Sequence, residues 1–341
     1  MTHEREITAP VDLCDARGLL NPAARGWSRR PLHRANLRGA PGRKKRWDYW
    51  CIQSEDVVVA VTYADVDYLG LASLWILDPA QSRTWSAEIF APFSRGISLP
   101  DEPCTGTLRA HGRALDLEIR ETPGSTSLSA RARDERGAPI SVELAVDRPR
   151  DHETMNVVIP WSARRFQLTS KHTARPAEGT VSIGPKTWSL GPASGAYGVL
   201  DLGRGIWPYS IRWNWAAAAG RADCGTVVGL QFGGKWTEGT GFTENALCIG
   251  GRLTKIGEEL SWSYSWDEPL RPWRVRTPSS DRVDVTLTPS FDRHSRVNLG
   301  VAKMEVHQCF GTWSGRVVGD DGVVRRIESI RGFAEEARNR W

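Results

Sequence analysis

Long apolar stretches are missing from this sequence. No segment approaches the roughly 20 consecutive apolar residues that a membrane-spanning helix needs, and hydrophobic residues make up 40% of the 341 positions against 25% charged. That balance describes an ordinary globular chain, long enough for a sizeable core and for more than one domain. The first ten residues hold His3, Glu4, Arg5 and Glu6 and no apolar core, so they do not read as a secretory signal. Cysteine is sparse and scattered, with six residues (Cys14, Cys51, Cys104, Cys224, Cys248 and Cys309) and no CxxC pair. Such usage excludes a dense disulfide framework and a structural zinc module, and it fits free thiols in a reducing compartment. A cytoplasmic location is the expectation. Also absent are a GxSxG elbow, an HExxH helix, a Walker loop and a histidine pair at metal-ligand spacing. No metal and no cofactor is assigned.

The net charge of +5 comes from one place. The segment Arg25 to Arg46 holds nine Lys or Arg and no acid, and without it the chain carries 36 basic against 40 acidic residues. A single run of this kind reads as a solvated arm, open to peripheral contact with an anionic membrane surface. No helix-turn-helix or RNA-binding signature accompanies it, so sequence-specific nucleic-acid recognition is not expected.

What is present nearly everywhere is alternation of period two, broken by glycine, proline and polar turns. One series of candidate strands runs from Trp47–Ser54 to Ser141–Val146, a second from Gly179–Leu190 to Val323–Ile330. The count suits two closed or nearly closed antiparallel barrels, since closure removes sticky edges. The weakest periodicity lies near Pro176. The expected organisation is therefore an irregular basic arm over 1–46, a first β domain over 47–176 and a second over 177–341. Phe333–Asn339, with Glu335, Glu336 and Arg338, reads as a short C-terminal helix.

Seven of the 16 tryptophans fall between Trp207 and Trp273. In Arg212-Trp213-Asn214-Trp215 the two indoles share a sheet face, and in Ser261 to Trp266 alternation puts Trp262, Tyr264 and Trp266 together. Core packing would account for such indoles. The sharper reading is the wall of a pocket for an apolar ligand, with Trp213, Trp215, Trp236 and Trp266 lining one cavity in the second barrel and their π faces available to a developing cation.

Beside them Thr237-Glu238-Gly239-Thr240-Gly241-Phe242-Thr243-Glu244-Asn245 leads into Ala246-Leu247-Cys248-Ile249-Gly250-Gly251-Arg252-Leu253-Thr254-Lys255. Gly250-Gly251 between two apolar runs signals a two-residue hairpin, pairing Ile249 with Arg252 and Ala246 with Lys255. Continued alternation then puts Glu244 on the face of Lys255, as an ion pair at a cavity mouth or a plain salt bridge. Gly239 and Gly241 would let backbone approach a ligand. Further candidates are Lys171 and His172, and the stretch Asp201-Leu202-Gly203-Arg204-Gly205-Ile206-Trp207-Pro208-Tyr209, which gathers an acid, Arg204 and Tyr209 on what reads as a glycine-loosened turn.

The series Asn156 to Trp161, Lys171-His172, Asp201 to Gly205, Trp213-Asn214-Trp215, Thr237-Glu238-Gly239, Thr243-Glu244-Asn245, Phe310 to Gly315, and Gly332 to Glu336 with Trp341 resembles the bacterial family labelled domain of unknown function 2804. The resemblance spans nearly the whole chain. That family is distantly similar in fold to carotenoid 1,2-hydratase and AttH-like proteins, which implies two lipocalin-like barrels in tandem. Relatives of that fold include hydratases and cyclases of isoprenoid or polyene substrates and proteins without proven catalysis; fold analogy transfers no mechanism.

Two functions follow. One is an enzyme performing hydration, isomerisation or cyclisation by acid/base chemistry on a hydrophobic small molecule, with Glu244, Glu238 or Asp201 as proton donor. Its ligand contacts would come from Lys171, His172, Arg204, Tyr209, Arg212, Trp213, Asn214, Trp215, Trp236, Asn245, Lys255 and Trp266. The other is a non-catalytic carrier or sensor of a lipid. An unpaired carboxyl facing the cavity favours the enzyme; Glu244 neutralised by Lys255 or Arg212 outside it favours the carrier.

Overall fold

The computed structural model describes residues 3–298 and 303–340; Trp341 lies outside them. Alternation is realised as β-strand almost throughout, and among the described residues there is no α-helix, only single 3-10 turns at Pro22–Ala24 and Pro192–Ser194. No helix of the described residues is long and apolar enough to cross a membrane.

Among the described residues two large antiparallel sheets carry the chain. The first runs, neighbour to neighbour, through Arg83–Pro92, Leu69–Asp78, Val58–Asp65, Lys44–Gln53, Tyr197–Ile206, Arg165–Ile183, Pro139–Asp147, Ser125–Arg133, Leu115–Glu121 and Thr107–His111. Leu74 and Ile76 near one end share a single core with Leu117 and Leu128 near the other, around the fully buried Trp50, so the sheet curls back on itself. The second runs through Arg252–Lys255, Ala246–Ile249, Val227–Gly234, Ser210–Arg221, Val324–Arg340, Lys303–Val318, Val283–Asn298, Trp273–Arg276 and Ser261–Ser263. It closes around Ala216, Ala218, Phe232, Trp273 and Trp313. The change of sheet falls between Ile206 and Ser210.

Because side chains alternate across a strand, each sheet has a second, outward row, and these rows meet. Cys51, Ala60, Trp75 and Val199 of the first sheet form one apolar cluster with Trp215, Ala217, Phe310 and Phe333 of the second. Packing of outer face on outer face creates the seam in which the functional groups lie.

Two expectations are corrected here. Phe333–Asn339 is not a helix but part of the strand Val324–Arg340, paired on one side with Ser210–Arg221 and on the other with Lys303–Val318. Its Ala and Glu residues favour helix weakly, by tenths of a kcal/mol each, and two full ladders outweigh that. Nor is the basic run wholly outside the strand pattern. Lys44, Lys45 and Arg46 open the strand Lys44–Gln53, Lys45 is buried, and Arg29 donates to Glu153 at 2.9 Å. Arg25, Arg30 and Arg38 do remain exposed.

Candidate functional site

The strand Arg165–Ile183 shows how the site is assembled. Gln167, Thr169 and Lys171 point outward into the seam, while Leu168, Ser170 and His172 point the other way. Tyr197–Ile206 lies beside it in register, Lys171 opposite Asp201, which places Asp201 on the same outward face. From the other sheet, Ser210–Arg221 contributes Trp213 and Trp215 and Val324–Arg340 contributes Glu335, with Trp215 opposite Glu335. Between them lies a cavity of about 340 Å³. The cavity is thus at the seam of the two sheets and not inside the second barrel, whose interior is filled by Trp273, Phe232 and Trp313.

Among its polar lining residues, Lys171, Glu244 and Glu335 are buried and Asp201 nearly so. Lys171 Nζ is 2.7 Å from Asp201 Oδ1 and 3.3 Å from Glu244 Oε2, and lies 4.3 Å from the centre of the Trp215 ring. Indole N–H groups orient all three carboxylates: Trp47 donates to Asp201 at 3.2 Å, Trp236 to Glu244 at 2.8 Å and Trp213 to Glu335 at 2.9 Å. Two glycines make these contacts possible. A side chain at Gly203 would collide with the Trp47 ring, and one at Gly233 with the Glu244 carboxylate.

These three carboxyl groups, with a fourth on the exposed Glu88, face two cations, Lys171 and Arg293, the latter lying over Trp75 at 4.4 Å. Burial is the largest influence on the Glu244 carboxyl and pushes it up to about 7 although Lys171 draws it down. Burial likewise pushes Glu335 up to about 7, against the indole N–H of Trp213, with Asp201 adding like-charge repulsion. Lys171 is held above the ordinary lysine range, because Asp201 and Glu244 outweigh the opposing effect of its own burial. The arrangement keeps a carboxyl proton available near neutral pH within an aromatic-walled cavity.

Of the residues expected from sequence, Lys171, Asp201, Trp213, Trp215, Trp236 and Glu244 line this one cavity. The hairpin register is as expected, Ala246 opposite Lys255 and Ile249 opposite Arg252. Glu244 nevertheless does not pair with Lys255, because the ladder begins at Ala246 and alternation does not extend upstream of it. Lys255 binds Glu4 at 2.7 Å and Thr243 at 2.6 Å. Asn245 is a structural bracket, accepting from the Gly233 N–H and donating to the Glu258 carbonyl.

The rest lie elsewhere. His172 is buried beneath the first sheet beside Cys104, Ser170 and Arg175, and burial, with the charges of Arg175 and Arg148, holds it well below its ordinary value. Arg204 is buried against Asp48 at 2.7 Å, on a strand where a loosened turn was expected. Asn214 points into the second sheet toward Tyr264. Glu238 and Arg212 are exposed and line a shallow pocket on the far side of Trp236, and Tyr209 is exposed under Arg43 and Arg340. Gly239 and Gly241 take positive φ in an exposed turn with open space around them. Trp266 lies three residues beyond the end of the strand Ser261–Ser263, so alternation fails to carry it inward; it packs under Arg338 and against His307.

Glu335 is the group that sequence reasoning missed. Read with period two, Phe333, Glu335 and Ala337 share a face, and that signal was masked by the helix-forming composition around it.

The family described as "Domain of unknown function (DUF2804)" matches residues 4–341. No curated protein matches the chain. Among solved structures, kievitone hydratase from Nectria haematococca is similar with a TM-score of 0.53 and 12% identity, covering 88% of this chain and 89% of that one. A putative AttH from Nitrosomonas europaea is similar at a TM-score of 0.47 and 13% identity, covering 86% of this chain and 92% of that one. At such identities the likeness is one of fold.

Proposed function

The chain belongs to the DUF2804 family, whose description names no chemistry, and we propose from its cavity that it is a cofactor-independent acid/base enzyme acting on a hydrophobic small molecule. The reading takes the two curled sheets as lipocalin-like halves and the seam between them as the active site. The observation that carries it is the surplus of carboxyl over cation in an aromatic-walled cavity, with Glu335 and Glu244 both raised to about 7. A general acid works best when its affinity for the proton matches the working pH.

Glu335 is the better donor. No cation lies within ion-pair distance of its carboxylate among the described residues, whereas Glu244 shares Lys171 with Asp201. In a hydration, the Glu335 proton goes to one carbon of a substrate double bond, leaving positive charge on the other. The faces of Trp213 and Trp215 and the carboxylates stabilise that charge. Water adds to the cationic carbon and its released proton returns to the Glu335 carboxylate, so the site ends as it began. A similarly folded protein bears the name hydratase, and the reaction class draws support from that name.

The test is a turnover assay on whatever small molecule co-purifies with the protein, identified by mass spectrometry. Glu335→Gln and Glu244→Gln should each lower conversion by about 100- to 10,000-fold with little change in ligand affinity. Equal conversion by both variants would remove the acid/base assignment, and a bound ligand that wild-type protein leaves unchanged would favour a carrier.

A further inference from the structure

Strands Val283–Asn298 and Lys303–Val318 pair along their length as a ribbon within the second sheet, where Lys303–Val318 also pairs with Val324–Arg340, and one face of the ribbon gives Arg293, Ser295, Val306 and Gln308 to the cavity wall. The opposite face carries a different set. His294 stands directly across from His307, and Glu305, two residues along, shares their side. The two imidazole rings are parallel with centroids 4.2 Å apart, and His294 Nε2 lies 3.1 Å from Glu305 Oε1. Behind His307, Asp292 Oδ2 sits 2.8 Å from Nδ1, while the Trp266 ring meets it edge-on at 4.5 Å. One ligand atom from each of His294, Glu305 and His307 lies within 4.8 Å of the other two.

A carboxylate that accepts a hydrogen bond from the Nδ1–H of an imidazole leaves Nε2 with its lone pair free and fixes the ring, which is the arrangement found behind metal-bound histidines. Two imidazoles and one carboxylate are a ligand set suited to zinc-class ions, with a fourth position left to water. Arg296 and Arg338 stand across from Glu305 on either side, so most of the binding must come from the uncharged imidazoles, with small tilts bringing the parallel rings to bear on one ion. We propose that His294, Glu305 and His307 bind one Zn²⁺, that Asp292 orients His307 for it, and that the ion pins the ribbon whose other face walls the cavity. The sequence alone conceals this site, because His294 and His307 come from separate strands and only their register joins them.

The experiment uses the full chain, free of any affinity tag, with Zn²⁺ as calorimetric probe and Co²⁺ as a spectroscopic substitute. One equivalent should bind, raise the melting temperature and produce visible Co²⁺ bands. Asp292→Asn should weaken binding by about 10- to 100-fold, and His294→Ala with His307→Ala should abolish it while the metal-free variants still melt cooperatively. Cys224→Ser, which alters the exposed thiol, should leave binding intact. Absence of a bound equivalent in the unmodified protein would overturn the proposal, as would binding that survives the double histidine substitution. Should that double variant fail to fold, binding by Asp292→Asn at unchanged affinity would count against it equally.

Discussion

Replacing Glu335 by Gln should stabilise the protein at alkaline pH and leave it unchanged in acid. The Glu335 carboxyl is raised from 4.5 to about 7 in the folded chain, so the folded state holds its proton more tightly than the unfolded state does. A raised folded value contributes stability that is fully present below about 4.5 and is lost as pH climbs through about 7. Above that point wild-type protein must keep an ionised carboxylate in the seam. At 1.36 kcal/mol per pH unit, the penalty is about 3 kcal/mol. Gln, of nearly the same shape and unable to ionise, escapes it. For 341 residues an unfolding entropy of about 0.7 kcal/mol/K converts this into about 4 °C in melting temperature. The measurement is paired melting or urea unfolding of both proteins at pH 5 and pH 8.5. The variant should lie within about 1 °C of wild type at pH 5 and exceed it by several degrees at pH 8.5. A difference that stays the same at both pH values would refute the claim that an uncompensated carboxyl is buried there.

Lys171→Met should behave in the opposite sense at neutral pH: loss of the cation shared by Asp201 and Glu244 should cost about 3–5 kcal/mol, as breaking buried ion pairs does, and a loss under 1 kcal/mol by urea unfolding would show the cluster to be hydrated. Within the basic run, Arg29→Ser with Lys45→Ser should lower the melting temperature, because Arg29 binds Glu153 and Lys45 is buried. Arg25→Ser, Arg30→Ser and Arg38→Ser together should shift it little; equal effects of the two sets would contradict the structural division drawn between them.

Period-two alternation made the β architecture legible, and Gly250-Gly251 fixed a hairpin register that the structure reproduces residue for residue. Parity also gathered Trp213 and Trp215 correctly on one face. It failed where strands stop, since Glu244 and Trp266 lie just beyond the ladders that would have made alternation meaningful. It was also silent on which face of a barrel strand is the inside. Lys171 and His172 are neighbours in sequence and end on opposite sides of a sheet, one in the seam and one in a core. The seam itself was hidden because contact between the two sheets' outer faces is a tertiary property, with no local pattern to announce it. Glu335 was hidden for a further reason, as the Ala and Glu residues around it carry helical preference that only flanking strands override.

Since the carboxyl groups lie between the sheets, their protonation is linked to the docking of the two halves. Ionisation of Glu335 or Glu244 leaves a negative charge in a buried joint, and by the same linkage that governs stability this charge works against the joint remaining shut. Reprotonation restores the fit. The seam is then a latch whose grip follows the carboxyl proton, tighter with Glu335 protonated than with it ionised.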